Sequence, residues 1–498
     1  MLLAGEERTF AFALIGPYAN WMDQTNGYRL IPEIGGPVAI NEAYRWNVPL
    51  VTYGFDASFL AYFGSNGVAA VSKAMDILNG LPAASSIVLT NYPLNSKSAN
   101  VAASAQDLFD LKSAVLSLML GHLGLAPPKE NIFDMRKWDP SFGSYSQEYE
   151  WVDWAIPDFI FERNYDPETL ETSHYVNEVL FTGVLNAYGS PPALAEVLES
   201  PVSPIDQQFS AVADGIYVSS YLSPPPWNWS GLIFTGLTRD DAGGLRYLIA
   251  SNRFSLEMLL PDVHGAGTNQ NAYVNLALRA GVEKLTFTLQ QPDPLTSHVS
   301  PVTNIFTDTY ITNGTVSHQQ LERIVVQPDF LFCVGDTGGE QPLPPEHVRT
   351  GASNWWNSAT VTGSTNQGPG VIRPQIRITL NKMGSLARTS DRFIESPGTQ
   401  SFRWGSFDQS SVPIVFPQPT AQTNSDLLVR FWLHSTNIVP DAHFTWKVAT
   451  SFGAAATLQT STNLLDWNSL ISVTNYGGAV DWDHWRLDPQ RFFRVVPQ

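Results

Sequence analysis

The sequence predicts an α+β fold with a β-rich second half and a terminal β-sandwich, and three observations carry that prediction. Apolar residues at helical spacing are concentrated before about residue 260. From Pro261 onward, alternating and β-branched stretches lie between Pro, Gly and Asn clusters. From Leu458 the chain alternates apolar and polar residues almost to its last residue, as strands with one buried face do. The expected organisation is an N-terminal α/β domain over 1–260, a β-rich middle domain over 261–435 and a C-terminal β-sandwich module over 439–498.

The elements follow in order. Tyr44 to Tyr62 is aromatic and β-branched and reads as strand, turn and short helix. Val68, Val71, Met75 and Leu78 recur at helical spacing and predict a helix over 66–78. Leu108, Leu111, Val115, Leu118 and Met119 share one face of a second helix over 107–123, stopped by Pro127 and Pro128. Thr238, with Asp241 three residues later, has the spacing of a capping box and opens a third helix reaching Ile249. Pro224 to Pro226 lead Trp227 and Trp229 into an extended aromatic loop. Strands are expected over 284–290, 314–326 and 372–380. A polar join around Val439 leads into the terminal module, which has a turn at Asn475 to Gly478. Leu458, Leu464, Trp467 and Leu470 supply its apolar side, Phe493 and Val495 its closing strand, and Trp467 is expected in its core.

Composition excludes whole classes of function. Of 498 residues, 43% are hydrophobic and 12% aromatic, enough for sizeable cores. Only 15% are charged, against the usual value of about 25%, so Ser, Thr, Asn and Gln must cover the surface, as in many extracellular proteins. The net charge of −18 repels polyanions, and nucleic acid is not expected as a partner. Cys333 is the single cysteine, which excludes an intramolecular disulfide and any two-thiol zinc site; within Phe330 to Val334 it reads as a small buried hydrophobe. No apolar stretch reaches the roughly 18 residues of a membrane helix. The segment MLLAGEERTF lacks a basic region and meets Glu6 and Glu7 too early for a signal peptide. Either Met1 lies inside a cleaved precursor or the chain starts as written; the former is the preferred reading.

Candidate chemistry is sparse. Glu148, Glu150 and Asp153 beside Trp151 and Trp154 could form the paired carboxylates and sugar platform of a glycosidase, or a Trp-rich core edge with solvated acids. Asp481, Asp483 and His484, beside Trp485, are a candidate calcium site or a solvated strand edge. The segment GDTGG, Gly335 to Gly339, resembles the Asp-Thr-Gly loop of aspartic proteases. A single copy would require a symmetric dimer, and the same residues serve as an ordinary turn. Asn228-Trp-Ser and Asn313-Gly-Thr match glycosylation sequons, and both are discounted.

Two resemblances extend this reading. LTRDDAGGLRYL (Leu237 to Leu248) resembles the final helix of matrixin-type metalloproteases, and RWNVPLVTYGFD (Arg45 to Asp56) their first strand. That fold implies H-E-x-x-H on the intervening helix, two imidazoles for zinc and a Glu as general base. Here SLMLGHLGL (Ser117 to Leu125) retains only His122, with Ser117, Leu118 and Met119 where a ligand and the base would stand. One imidazole does not make a zinc site, so no transition metal is expected at His122. More broadly, YRWNVPLVTYGFDASFLAYFGSNGVAAV from Tyr44, FTDTYITNG from Phe306, IVVQPDFLF from Ile324, GPGVIRP from Gly368, FRWGSFD from Phe402 and the tail with its STNL, Trp and RFFRV elements resemble one family of large secreted verrucomicrobial proteins. The resemblance implies export and names no activity.

The expectation is an exported, non-enzymatic structural protein: a self-associating homo-oligomeric or polymeric subunit of a surface layer, extracellular matrix or appendage. The alternative is a degenerate or cryptic secreted hydrolase acting on protein or polysaccharide. No residue is assigned a catalytic, cofactor-binding or metal role, and calcium is the one cofactor kept in view.

Overall fold

The computed structural model describes residues 11–15, 40, 43–135, 160–189, 192–203, 211–214, 230–290, 299–335, 355–356, 371–372, 374–381, 389–390, 393–394, 403–417, 428–433, 443–449, 455–461, 465–474, 480–485 and 492–497. It is a mixed α+β, β-rich structure. Its centre is a parallel four-stranded sheet built from β1 (Leu50–Phe55), β5 (Thr286–Leu289), β8 (Phe330–Gly335) and β9 (Ile376–Asn381), in the order β5-β1-β8-β9. Three of these strands lie beyond residue 260, so the segments 1–260 and 261–435 share one sheet and one hydrophobic core.

One long helix packs on this sheet, and two more extend the same hydrophobic core. α1 (Ala57–Asn79) starts directly after β1, capped by Asp56, whose side chain accepts from the Phe59 amide at 3.0 Å. It kinks at Gly64, whose φ of 57° glycine adopts without strain. The apolar spacing Val68 to Leu78 marks only the part after the kink. The first turns are held instead by aromatic contacts, Phe59 stacking 4.6 Å from Phe55 and 4.8 Å from Phe63. α2 (Leu111–Leu123) is capped by Asp110 and ends at Gly124 in the left-handed region, φ 112°. The helix begins later than its apolar spacing suggested because Leu108–Asp110 is a strand, parallel to Arg403–Ser406. α3 (Arg239–Ile249) has the expected capping box: Asp241 accepts from both the Thr238 amide, at 2.8 Å, and the Thr238 hydroxyl, at 2.5 Å. Trp46, 1% exposed, fills the core beside Phe330 and donates its indole N–H to the His122 carbonyl at 2.9 Å.

A second, antiparallel sheet lies against the first. It comprises β2 (Phe254–Met258), β3 (Val263–Gly265), β4 (Leu276–Ala280), β6 (Val302–Thr312) and β7 (Thr315–Val325), in the order β2-β4-β6-β7-β3. β6 and β7 pair over all eleven residues of each strand, turning at Asn313 and Gly314, both at positive φ.

The terminal region forms two three-stranded antiparallel sheets from β10 (Leu428–Leu433), β11 (His443–Ala449), β12 (Ala455–Ser461), β13 (Asn468–Thr474), β14 (Val480–Trp485) and β15 (Phe492–Pro497). The orders are β10-β11-β14 and β13-β12-β15. β10 lies ahead of the expected join at Val439, because it pairs with β11 along its whole length. Trp467 is half-buried in the connection from β12 to β13 rather than in a core, and its neighbour Leu465 is 83% exposed. Leu464 and the turn at 475–478 lie outside the described residues. No helix among them is long and apolar enough to cross a membrane.

Candidate functional site

The antiparallel sheet buries charged side chains among apolar ones such as Val263, Leu321 and Val325. Strand alternation gives it two faces, and the face toward the protein carries the charges. Glu257 of β2, Arg279 of β4 and Arg323 of β7 are at most 1% exposed, and Asp308 of β6 is 7% exposed. Each finds a partner. The Arg45 Nε donates to Glu257 Oε1 at 2.5 Å, while its other nitrogens donate to the carbonyls of Leu248, Arg253 and Arg279 at 3.2, 3.1 and 2.9 Å. Arg279 donates to the Asp308 carboxylate, which also accepts from the Gln319 amide at 2.7 Å. Arg323 forms a two-pronged pair with Asp329, at 2.5 and 3.0 Å, and donates to Asp262 at 2.9 Å. Asp329 in turn accepts from the amide and hydroxyl of Thr52, which bolts this sheet to β1.

Electrostatics follow from that burial. Desolvation raises the Glu257 carboxyl above the usual range, with Arg45 and Arg279 opposing it. Burial works against the Arg323 charge, but Asp329 and Asp262 outweigh it and hold the guanidinium above its ordinary value.

The outward face is aliphatic. Ile305 is 61% exposed, Val316 53%, Leu278 and Ile324 42% and Leu276 37%, on the side of the sheet where charged residues would ordinarily stand. The register aligns Leu256, Leu278, Ile311 and Val316 in one row across four strands, with Met258 opposite Leu276 alongside. The same face also carries Phe254 and Ala280, then Thr303, Thr307, Thr309, Gln320 and Glu322 with His264 and His318. Glu322 is the only carboxylate on this strand face, and no Lys or Arg interrupts it.

A second location is set by topology. The chain leaves β1 toward β5 and leaves β8 toward β9, so the carboxyl ends of β1 and β8 flank a switch point, the usual binding crevice of a parallel sheet. Asp56, Ser58, Cys333 and Arg377 meet there. Asp56 accepts from the Ser58 hydroxyl at 2.5 Å and lies 3.5 Å from Arg377, whose guanidinium is 3.4 Å from the Cys333 sulfur. The Ser58 oxygen accepts the Val334 amide at 2.8 Å, joining β8 to the start of α1. Burial, then the Asp56 charge, pushes the Cys333 thiol up to about 11, so it stays protonated and is a poor nucleophile. The sequence reading took Cys333 as a buried hydrophobe and missed the cluster, because 321 residues separate Asp56 from Arg377.

The remaining singled-out residues fall as follows. His122 is 2% exposed and packs 5.7 Å from Phe330, a core position. The segment LTRDDAGGLRYL works as a structural keystone. Asp241 accepts the amides of Val212 and Ala213 at 2.9 Å each, and Asp240, raised well above the carboxylate range by burial, accepts that of Asn177 at 2.6 Å. Gly243 and Gly244 let Pro167, Leu125 and Phe12 approach so closely that an added Cβ would meet them at 2.6–2.7 Å or little more. Gly335 ends β8, and residues 336–339 of the GDTGG segment lie outside the described residues, as do Glu148, Glu150, Trp151, Asp153, Trp154 and the loop 224–229. Asp481, Asp483 and His484 lie on β14, their side chains outside the described ones. Among the described residues no group of three or more His, Cys, Asp and Glu is placed to hold a metal ion. No family model, no curated protein and no solved structure matches this chain.

Proposed function

We propose that this protein is an exported, non-enzymatic structural protein that self-associates, its outward aliphatic sheet face meeting the same face of a second copy. The observation carrying this reading is the aliphatic outward face of the antiparallel sheet, where Ile305, Val316, Leu278 and Ile324 are exposed while Glu257, Arg279 and Arg323 are buried on the other side. Exposing those aliphatic rows to water is unfavourable by about 25 cal/mol per Å², so a covering surface is favoured. Strand lengths and inter-strand spacings give a face of about 550 Å². Two copies would bury about 1,100 Å² in total, just above the roughly 1,000 Å² expected of a specific interface. A two-fold arrangement suits its charges, since Glu322 of one copy can face His264 or His318 of the other. The net charge of −18 opposes indiscriminate clumping and favours a defined contact. Export, and a role in a surface layer, matrix or appendage, rest on the sparse charge and on the family resemblance of the tail.

Sedimentation velocity tests the reading. The wild-type chain is expected to associate at micromolar concentration, and the double variant Leu278→Lys/Val316→Lys to sediment as a monomer with an unchanged melting temperature. A wild-type chain that stays monomeric to about 100 µM would refute it, since even a weak 1,100 Å² contact should populate a dimer there.

The alternative, a secreted hydrolase, is favoured by one observation: Asp56 and Arg377 stand at the carboxyl-end switch point of the parallel sheet. Hydrolysis of peptide or polysaccharide that is lost in Arg377→Ala, with folding intact, would favour it over the structural role.

A further inference from the structure

The loop between α3 and β2 carries a cavity of about 230 Å³ that the self-association reading does not use. Its walls divide by chemistry. Tyr247, Leu248 and Phe254 present an aromatic and aliphatic side, while Asn252, Arg253 and Ser255 present an amide, a guanidinium and a hydroxyl. The Arg253 guanidinium lies over the Tyr247 ring, 4.7 Å from its centroid, and forms no salt bridge among the described residues. The Asn252 and Ser255 side chains are likewise uncommitted among those residues. Arg45 also borders the cavity, but Glu257 and three carbonyls occupy its donors. The cavity therefore carries one available positive charge, in a chain whose net charge is −18.

The loop is held before any ligand arrives. From below, Arg45 grips the carbonyls of Leu248 and Arg253. From the side, Glu283 accepts the Ser251 amide at 2.7 Å and the Ser85 amide at 3.1 Å. The Tyr247 hydroxyl donates to the Ile40 carbonyl at 3.0 Å, which fixes the ring beneath Arg253. Such preorganisation lowers the ordering cost of binding.

We propose that this cavity is a binding site for a small organic carboxylate with a compact apolar body, its carboxylate on Arg253 and its body against Tyr247, Leu248 and Phe254. A planar guanidinium fork matches a carboxylate in two-pronged geometry. The volume sets the size: a cavity of about 150 Å³ takes a benzene ring, so 230 Å³ holds a six-membered ring and one carboxylate. Asn252 and Ser255 lie beside Arg253 in sequence and supply the further donors a carboxylate's two oxygens can accept.

Calorimetric titration of the full chain with benzoate, phenylacetate and cyclohexanecarboxylate tests the assignment, with benzamidine and benzyl alcohol as matched cationic and neutral shapes. At least one carboxylate is expected to bind with a dissociation constant at or below about 1 mM, and benzamidine not at all. Arg253→Gln should weaken that binding about tenfold to a hundredfold, the usual share of a charge-assisted pair, and Arg253→Lys should recover part of it. Arg253 is only half-buried and its carbonyl contact is made by backbone, so both variants should melt with the wild type, and Asn252→Ala offers a second, independent loss of affinity. Absence of binding by all three carboxylates at about 10 mM, equal binding of benzamidine, or an affinity indifferent to Arg253→Gln would each overturn the proposal. None of these outcomes depends on whether the chain self-associates.

Discussion

Replacing Arg45 with methionine should be among the most damaging single changes in this fold. The methionine stem keeps most of the packing volume and deletes only the guanidinium. Glu257, 0% exposed, then loses the partner 2.5 Å away and is left as a buried carboxylate with Arg279 as its remaining cationic neighbour and Asn47 beside it. Breaking a buried pair from one side costs about 3–5 kcal/mol. The carbonyls of Leu248 and Arg279 lose donors as well, at about 1 kcal/mol each, so the expected loss is about 5–7 kcal/mol. For a cooperative unit of roughly 400 residues that corresponds to a fall in melting temperature of about 6–8 °C at pH 7.

The sign of the pH dependence follows from Glu257. Burial raises its carboxyl in the folded protein, so the folded state takes up a proton at a pH where the unfolded chain, at about 4.3, has not. That contribution is present at low pH and is lost as pH rises through the folded-state value. Without Arg45 the folded-state value rises further, and the deficit of the variant should shrink between pH 7 and pH 5. Calorimetry of Arg45→Met and of Arg45→Met/Glu257→Leu at both pH values checks this, the double variant recovering at least half the loss because no unpaired charge remains. A single variant within about 1 kcal/mol of wild type, or a double variant no better than the single, would refute the assignment of Arg45–Glu257 as an essential buried pair.

Other expectations are simpler to read. Thr238→Ala removes half of the capping box on α3 and frees Asp241 from one of its donors; chemical denaturation should register a loss of about 1–2 kcal/mol. Cys333, with its thiol near 11, should hold about one thiolate per thousand molecules at pH 8 and react with a thiol reagent far more slowly than free cysteine, reaching ordinary rates only on unfolding. Trp46→Phe should cost about 1–3 kcal/mol through the lost indole bond to the His122 carbonyl and the smaller ring, seen as a lowered denaturation midpoint.

What the sequence determined by itself is local. The Thr238 and Asp241 spacing set the start of α3, and the repeat Val68 to Leu78 located the body of α1, because a cap and a helical face each lie within a few turns of chain. Of the β6–β7 hairpin only β7 was legible in the sequence, as the strand over 314–326, while β6 and the turn at Asn313 and Gly314 came from the structure. Tertiary structure alone decided the central sheet, which joins β1 to strands more than two hundred residues later, and with it the meeting of Asp56, Cys333 and Arg377. It also decided which side of the antiparallel sheet faces inward. Alternation establishes that two faces differ, but both carry large apolar residues, Ile305, Ile311, Val316 and Ile324 on one and Phe306, Tyr310, Leu321 and Val325 on the other, so hydrophobicity alone does not choose between them. The second face is buried because Arg45, Asp262 and Asp329, supplied from outside the five strands, neutralise Glu257 and Arg323, while Arg279 and Asp308 pair within the sheet. A charge becomes a tolerable core residue only when its partner is present, and no local stretch of sequence records where that partner will be.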